Sequence, residues 1–299
     1  MKNNRTLAIL ALAAFSVGSA QAADVRVTFD NGNGDGDFGN PVNWSTVVGG
    51  NNELPGWSTG SPSNAIIQGA FTVDVTSAFT PANDFTPLLT RFGSTLNIGA
   101  NLNLANTGLL FGQIAGNTDV VNQTAGTVTT NGLTIGEADV TFTMTGGVMN
   151  ISGGMLMQNG DGAVFSLRGD TATISAASLT LEAADATTAP GLDFRLGATG
   201  INPIAATGAF TIGAGSTLSV DGSSYTGGAG PIDLVTFGSN IGSFADPADI
   251  SISGFTGFNT SVGYDADSMF INLTAIPEPS SAALLGLAGL ALIFHRRKQ

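Results

Sequence analysis

The densest cluster of oxygen donors in this 299-residue sequence is Asp30-Asn31-Gly32-Asn33-Gly34-Asp35-Gly36-Asp37. Closely spaced carboxylates and amides on a glycine-bent loop suit calcium, a cation that gathers about six to eight oxygens. Asn31, Asn33, Asp35 and Gly36 follow the first half of an EF-hand loop, but Val42 stands where the bidentate glutamate belongs. The expected calcium ligands are Asp30, Asn33, Asp35 and Asp37, set against the plainer reading of a solvated turn; no other cofactor is expected. Glycan cleavage needs two carboxylates ~5–10 Å apart, or a base flanked by cations. Arg168 and Asp170, two apart on an expected strand, come nearest to such a pair and read more simply as an exposed same-face ion pair. Trp44 and Trp57 are candidates for stacking on sugars or, again more simply, plugs for the end of a β-fold. There is no Cys, and the one His, His295, lies four residues before the C-terminal Gln299. Disulfides and thiol nucleophiles are excluded, and a Ser-His-Asp relay has only a tail histidine to use. No catalytic residue is assigned, and the chain is not expected to be an enzyme.

Whatever these residues do, strands must position them. Short runs such as Phe71–Val75, Thr95–Ile98, Leu102–Leu104 and Leu133–Ile135 alternate apolar and polar residues at period two, bounded by Gly, Asn, Asp and Ser. Only Ala176–Thr187 has an Ala-rich, helix-compatible composition. Val121–Val128, Phe142–Met149 and Phe165–Ala172 resemble one another at offsets of 21 and 23 residues, and Leu133–Ile135, Met155–Met157 and Leu179–Leu181 repeat behind them. Phe92, Phe194 and Phe210 open looser copies. A period in the low twenties suits one coil of a β-solenoid, in which each coil buries its inward residues against the next. No proline falls between Leu88 and Ala189, as a continuous ladder of backbone donors requires. The competing architecture is a hairpin-built β-sandwich.

The two termini read as addresses. Lys2 and Arg5 precede an apolar run from Leu7 to Val17, broken only by Ser16, and then Ala20-Gln21-Ala22. That order predicts a signal peptide, with Ala20 and Ala22 recognised by signal peptidase; the run of 11 residues is far short of the ~20 a membrane-spanning helix needs. At the other end Pro277-Glu278-Pro279-Ser280-Ser281 leads into an apolar run from Ala282 to Phe294, followed by His295-Arg296-Arg297-Lys298-Gln299. The prolines keep the backbone before them extended, and the serines can cap a helix. A helix over 280–294 would be about 22 Å long, a thin span, with Arg296, Arg297 and Lys298 as a basic anchor on the cytoplasmic side.

Pro-Glu-Pro, a short apolar helix and a basic cluster, in that order, resemble the tripartite PEP-CTERM sorting signal. The resemblance implies that exosortase, a membrane cysteine transpeptidase, cuts near Pro277-Glu278-Pro279. It further implies transient anchoring in the inner membrane of a Gram-negative-type bacterium, then delivery to the cell surface or an extracellular polymer. More weakly, Asn43-Trp44 and Pro62 with Ala65-Ile66-Ile67 resemble the opening of autotransporter-like β-strand-repeat proteins.

Between the addresses, residues 23–276 hold four arginines, no lysine and 21 carboxylates, for a formal charge of −17. Such a body repels nucleic acid and anionic headgroups, so no nucleic-acid partner is expected. The whole reading is an all-β chain. A signal helix (1–22) leads to an opening β segment (23–87), a parallel β-helix-like solenoid (88–204), an antiparallel β cap (205–275) and a sorting signal (276–299) with a short transmembrane helix at 280–294. Expected partners are signal peptidase, exosortase, the inner membrane and an extracellular polysaccharide. The expected role is that of a non-catalytic exported protein; the alternative is a secreted polysaccharide hydrolase or lyase.

Overall fold

A computed structural model describes residues 27–46, 65–81, 88–112, 117–136, 139–158, 162–182, 189–244 and 246–277, with Phe294. The signal peptide with Ala20 and Ala22, Trp57, Glu278, Pro279, the basic anchor Arg296–Lys298 and all but the last residue of the 280–294 span lie outside them. Among the described residues no helix is long and apolar enough to cross a membrane.

Alternating side chains put every second residue of a strand on one face, and in this chain those residues are apolar on one face only. In Asp139–Met144 the even-numbered Val140, Phe142 and Met144 are buried while Asp139 and Thr141 are exposed. Stacking such strands in parallel gives one continuous interior. The shorter of two sheets stacks eight parallel strands in chain order: Thr72–Val75, Thr95–Ile98, Thr118–Gln123, Asp139–Met144, Val164–Arg168, Gly191–Arg195, Thr217–Asp221 and Ile250–Ser253. The longer sheet alternates with it, running through Val27–Phe29, Ala65–Gln68, Leu88–Arg91, Leu102–Phe111, Thr127–Ile135, Val148–Met157 and Thr173–Leu181.

The long strands are themselves divided. Register shifts fall between Leu104 and Gly108 and between Ile151 and Met155. One coil later the two arms of Thr173–Leu181 pair with separate strands, Ile204–Ala206 and Ala209–Ile212. Each complete coil therefore offers three arms around the core, the arrangement of a parallel β-helix.

The sequence repeats are the register itself. Val121 pairs with Phe142 and Phe142 with Phe165; Leu133 pairs with Met155 and Met155 with Leu179. All are buried, and Phe142 lies 5.7 Å from Phe111 and 5.2 Å from Phe165 between ring centroids. Burying one such side chain contributes about 1.5–3 kcal/mol, repeated at each coil. The looser copies fall elsewhere: Leu96, not Phe92, pairs with Val121, and Phe92 sits in a turn at φ 62°, 46% exposed. Phe194 pairs with Leu167, and Phe210 with Leu179. The Ala-rich stretch begins as strand Thr173–Leu181, because Ile174, Ala176, Leu179 and Leu181 supply the buried face that the ladder demands.

Parallel pairing extends on both sides of 88–204, from Val27–Phe29 to Ile250–Ser253. Antiparallel strands close the ends. Trp44–Thr46 pairs with Val27–Phe29 at the start. At the finish Ser268–Ala275 lies antiparallel between Gly230–Thr236 and Phe258–Tyr264, whereas Ala209–Ile212, Thr217–Asp221, Ser239–Ile241 and Ile250–Ser253, within the 205–275 expected as an antiparallel cap, pair in parallel and continue the coils.

Candidate functional site

The N-terminal oxygen cluster folds around Asp35. Its Oδ2 accepts from Nδ2 of Asn33 and of Asn40, both at 2.8 Å; its Oδ1 accepts from the Asp37 N–H at 2.9 Å and from Asn43 Nδ2. Two of those amides are fixed from their other ends, since Asn40 Oδ1 accepts from the Val42 N–H and Asn43 Oδ1 from the Asn33 N–H. Their N–H groups, not their oxygens, face the carboxylate. These donors, led by Asn43, hold the Asp35 carboxyl far below the usual carboxylate range. The other expected ligands serve the same turn: Asp30 Oδ1 accepts from the Gly32 N–H, and Asp37 Oδ1 from the Gly39 N–H at 3.1 Å. Among the described residues no three acidic or histidine side chains gather as a metal site. This loop is built to close the first coil.

Trp44, beside it, is fully buried. Its ring meets Phe29 and Phe38 edge-on at 5.1 Å each, and its Nε1–H donates to the Phe38 carbonyl at 2.9 Å. No ring face is left for a sugar.

Arg168 and Asp170 do not act together. Arg168 ends its strand and donates through Nε to Ser166 Oγ at 3.0 Å, while that hydroxyl donates to Asp193 Oδ2 at 2.7 Å. Asp170 lies in the next turn and accepts from Thr199 Oγ at 2.8 Å. Arg195, one coil on in the same register, instead pairs with Asp221 at 3.1 Å. The Asp221 carboxyl is held below its usual range, first by the Ser223 backbone N–H, with Arg195 a smaller cause.

Sequence reasoning missed a buried carboxylate. Asp119 is fully buried, accepting from the Gly93 and Ser94 N–H groups at 2.9 Å through Oδ1 and from Thr90 Oγ at 3.0 Å through Oδ2. It clasps three successive coils, because Ser94 Oγ donates on to the Ile67 and Gly69 carbonyls. Alternation was the available signal: Asp119, Val121 and Gln123 share one face of Thr118–Gln123. A second missed feature is a polar ladder on the outer face, where Asn122 Nδ2 donates to Asn97 Oδ1 at 2.9 Å and Asn97 Nδ2 to Asp74 Oδ1 at 2.8 Å.

The C-terminal exit is more specific. The final strand ends at Ala275, the Ile276 N–H still donates to the Gly257 carbonyl at 2.9 Å, and Pro277 follows exposed. Residues 275–298 match the family model of the PEP-CTERM protein-sorting motif. The chain carries a PEP-CTERM sorting signal. That signal implies exosortase-dependent sorting of an exported, envelope-associated protein in Gram-negative bacteria. No curated protein and no solved structure matches the chain.

Proposed function

We propose that this PEP-CTERM protein is a non-catalytic cargo of the cell surface or extracellular matrix, with residues 280–299 as a temporary membrane tether. The observation that carries the reading is where the body stops. Its last strand ends at Ala275, and the matched signal starts at that residue. A cut near Pro277-Glu278-Pro279 thus releases the solenoid with its cap whole. The acidic, lysine-free body suits a hydrated polysaccharide layer, where its charge keeps copies apart and soluble. Its carboxylates serve turns and ladders, as Asp35, Asp119, Asp170 and Asp193 do, which favours a scaffold over a hydrolase or lyase.

The test compares the full chain with one lacking 277–299 in the native cell. Surface delivery of the full chain and periplasmic retention of the truncated one are expected; equal delivery of both would overturn the proposal.

A further inference from the structure

The cap end of the solenoid differs chemically from the rest of the molecule. Three segments meet where the chain leaves the fold: the turn after Thr217–Asp221, the turn before Phe258–Tyr264, and the final strand. Tyr225, Phe255 and Phe258 cluster there, with ring centroids 6.1 Å apart for Tyr225 and Phe255 and 6.5 Å for Tyr225 and Phe258. All three rings are half-buried, and Ile276 beside them is 49% exposed. The cluster is built in: a Cβ on Gly222 would meet the Phe255 ring at 2.4 Å, so that glycine admits the aromatic side chain. Phe258 pairs with Ala275, and the Gly257 carbonyl holds the Ile276 N–H, so the rim is tied directly to the exit.

The charge distribution singles out the same place. Residues 222–232, 250–264 and 268–277 contain no Asp, Glu, Lys, Arg or His, in a body with 21 carboxylates. Elsewhere the acidic surface is repelled by anionic headgroups; here the adjoining carboxylate, Asp221, which accepts from the Ser223 N–H beside Gly254, is paired with Arg195 at 3.1 Å. Tyrosine favours the membrane–water interface, and phenylalanine adds apolar area that can enter the headgroup boundary.

Chain length then fixes how far the rim can stand from the bilayer. Five residue steps separate Pro277 from Ala282, the start of the apolar run, and can span at most about 17 Å. The headgroup layer itself takes up roughly 5–8 Å of that. We infer that, before cleavage, the uncharged rim of Tyr225, Phe255, Phe258 and Ile276 rests on the lipid headgroup interface of the membrane that holds the tether. This inference rests on the tether reading above. It sets the orientation of the cargo: the cap faces the membrane and the N-terminal coil points away.

The chain has no cysteine, so a single introduced thiol carries the only spin label. Thr256→Cys and Asn259→Cys place it at exposed positions of the rim, Asn103→Cys at an exposed position mid-body, and Leu287→Cys in the apolar run. Each unprocessed chain is reconstituted in phosphatidylethanolamine–phosphatidylglycerol vesicles and probed with oxygen, which enters lipid, and a nickel chelate, which stays in water. Labels at 287, 256 and 259 are expected to give oxygen-to-nickel collision ratios several-fold above that at 103. A high ratio at 287 with ratios at 256 and 259 equal to that at 103 would overturn the rim placement and leave the tether standing. A low ratio at 287 would overturn both. Loss of the high ratio at 256 and 259 when Phe255 and Phe258 are both changed to serine, with 287 unchanged, would show that the rings carry the contact; no loss would contradict it.

Discussion

Replacing Asp119 by alanine removes the carboxylate that accepts from the Gly93 and Ser94 N–H groups and from the buried Thr90 hydroxyl. The expected loss is about 3 kcal/mol or more, read as a lower denaturation midpoint, with Asp119→Asn intermediate because only one amide oxygen can still accept. Asp35 behaves differently, being an exposed carboxylate whose donors come from its own loop. Its folded-state carboxyl titrates below the ordinary 3.8, so its contribution is complete above that value and is lost as pH falls through the lower folded one. The Tm gap between wild type and Asp35→Asn is expected to be widest at neutral pH and to close in strong acid; a gap that widened in acid would contradict this. Because amide N–H groups already surround that carboxylate, a chelator is expected to leave Tm unchanged, and a fall of several degrees would restore calcium to the loop. The sequence showed the oxygen donors of 30–37 but not which way Asn40 and Asn43 turn, since that depends on the backbone groups at their far ends. Asp119 was hidden for a related reason: a carboxylate reads as surface until its donors, 25 to 29 residues earlier, are seen beside it.

A coil is stable only against its neighbours, and the strongest coupling runs through the interior phenylalanines. Phe142→Ala removes a ring held between Phe111 and Phe165 and is expected to cost about 3–5 kcal/mol, measurable by denaturant unfolding. The corner preceding Thr127–Ile135 is constrained as well, by backbone geometry. Gly126 has φ 72°, and a Cβ there would meet the Ala100 backbone at 2.4 Å, so Gly126→Ala is expected to destabilise by about 1–3 kcal/mol, whereas Ala substitution at exposed Thr118 is expected to be near neutral. This scale was the most legible in sequence. Val121, Phe142 and Phe165 must recur because stacked coils place them in contact, and the recurrence survives wherever coil lengths stay close to 21–23 residues. Downstream the coils lengthen: Leu179 to Phe210 spans 31 residues, and there the regular spacing that marks the repeat is lost. The division of the long strands into arms also escaped notice, because a mid-strand register shift leaves apolar alternation intact on either side.

At the scale of the molecule, a capped solenoid is joined without a spacer to a sorting signal, and its aromatic rim lies at the junction. The −17 body and the basic tail were plain from composition, as was the address itself, because such signals are linear and need no fold to be read. That the rim of aromatic side chains sits at the exit was not legible, since Tyr225 and Phe258 are 33 residues apart and meet only when the last coil closes. The central claim is that the tail is discarded once the folded cargo has crossed, and intact-mass spectrometry of protein recovered from outside the native cell tests it most directly. A chain ending near Pro277-Glu278-Pro279, with its cap strand Ser268–Ala275 complete, is the expected result; a chain still ending at Gln299 would contradict the account.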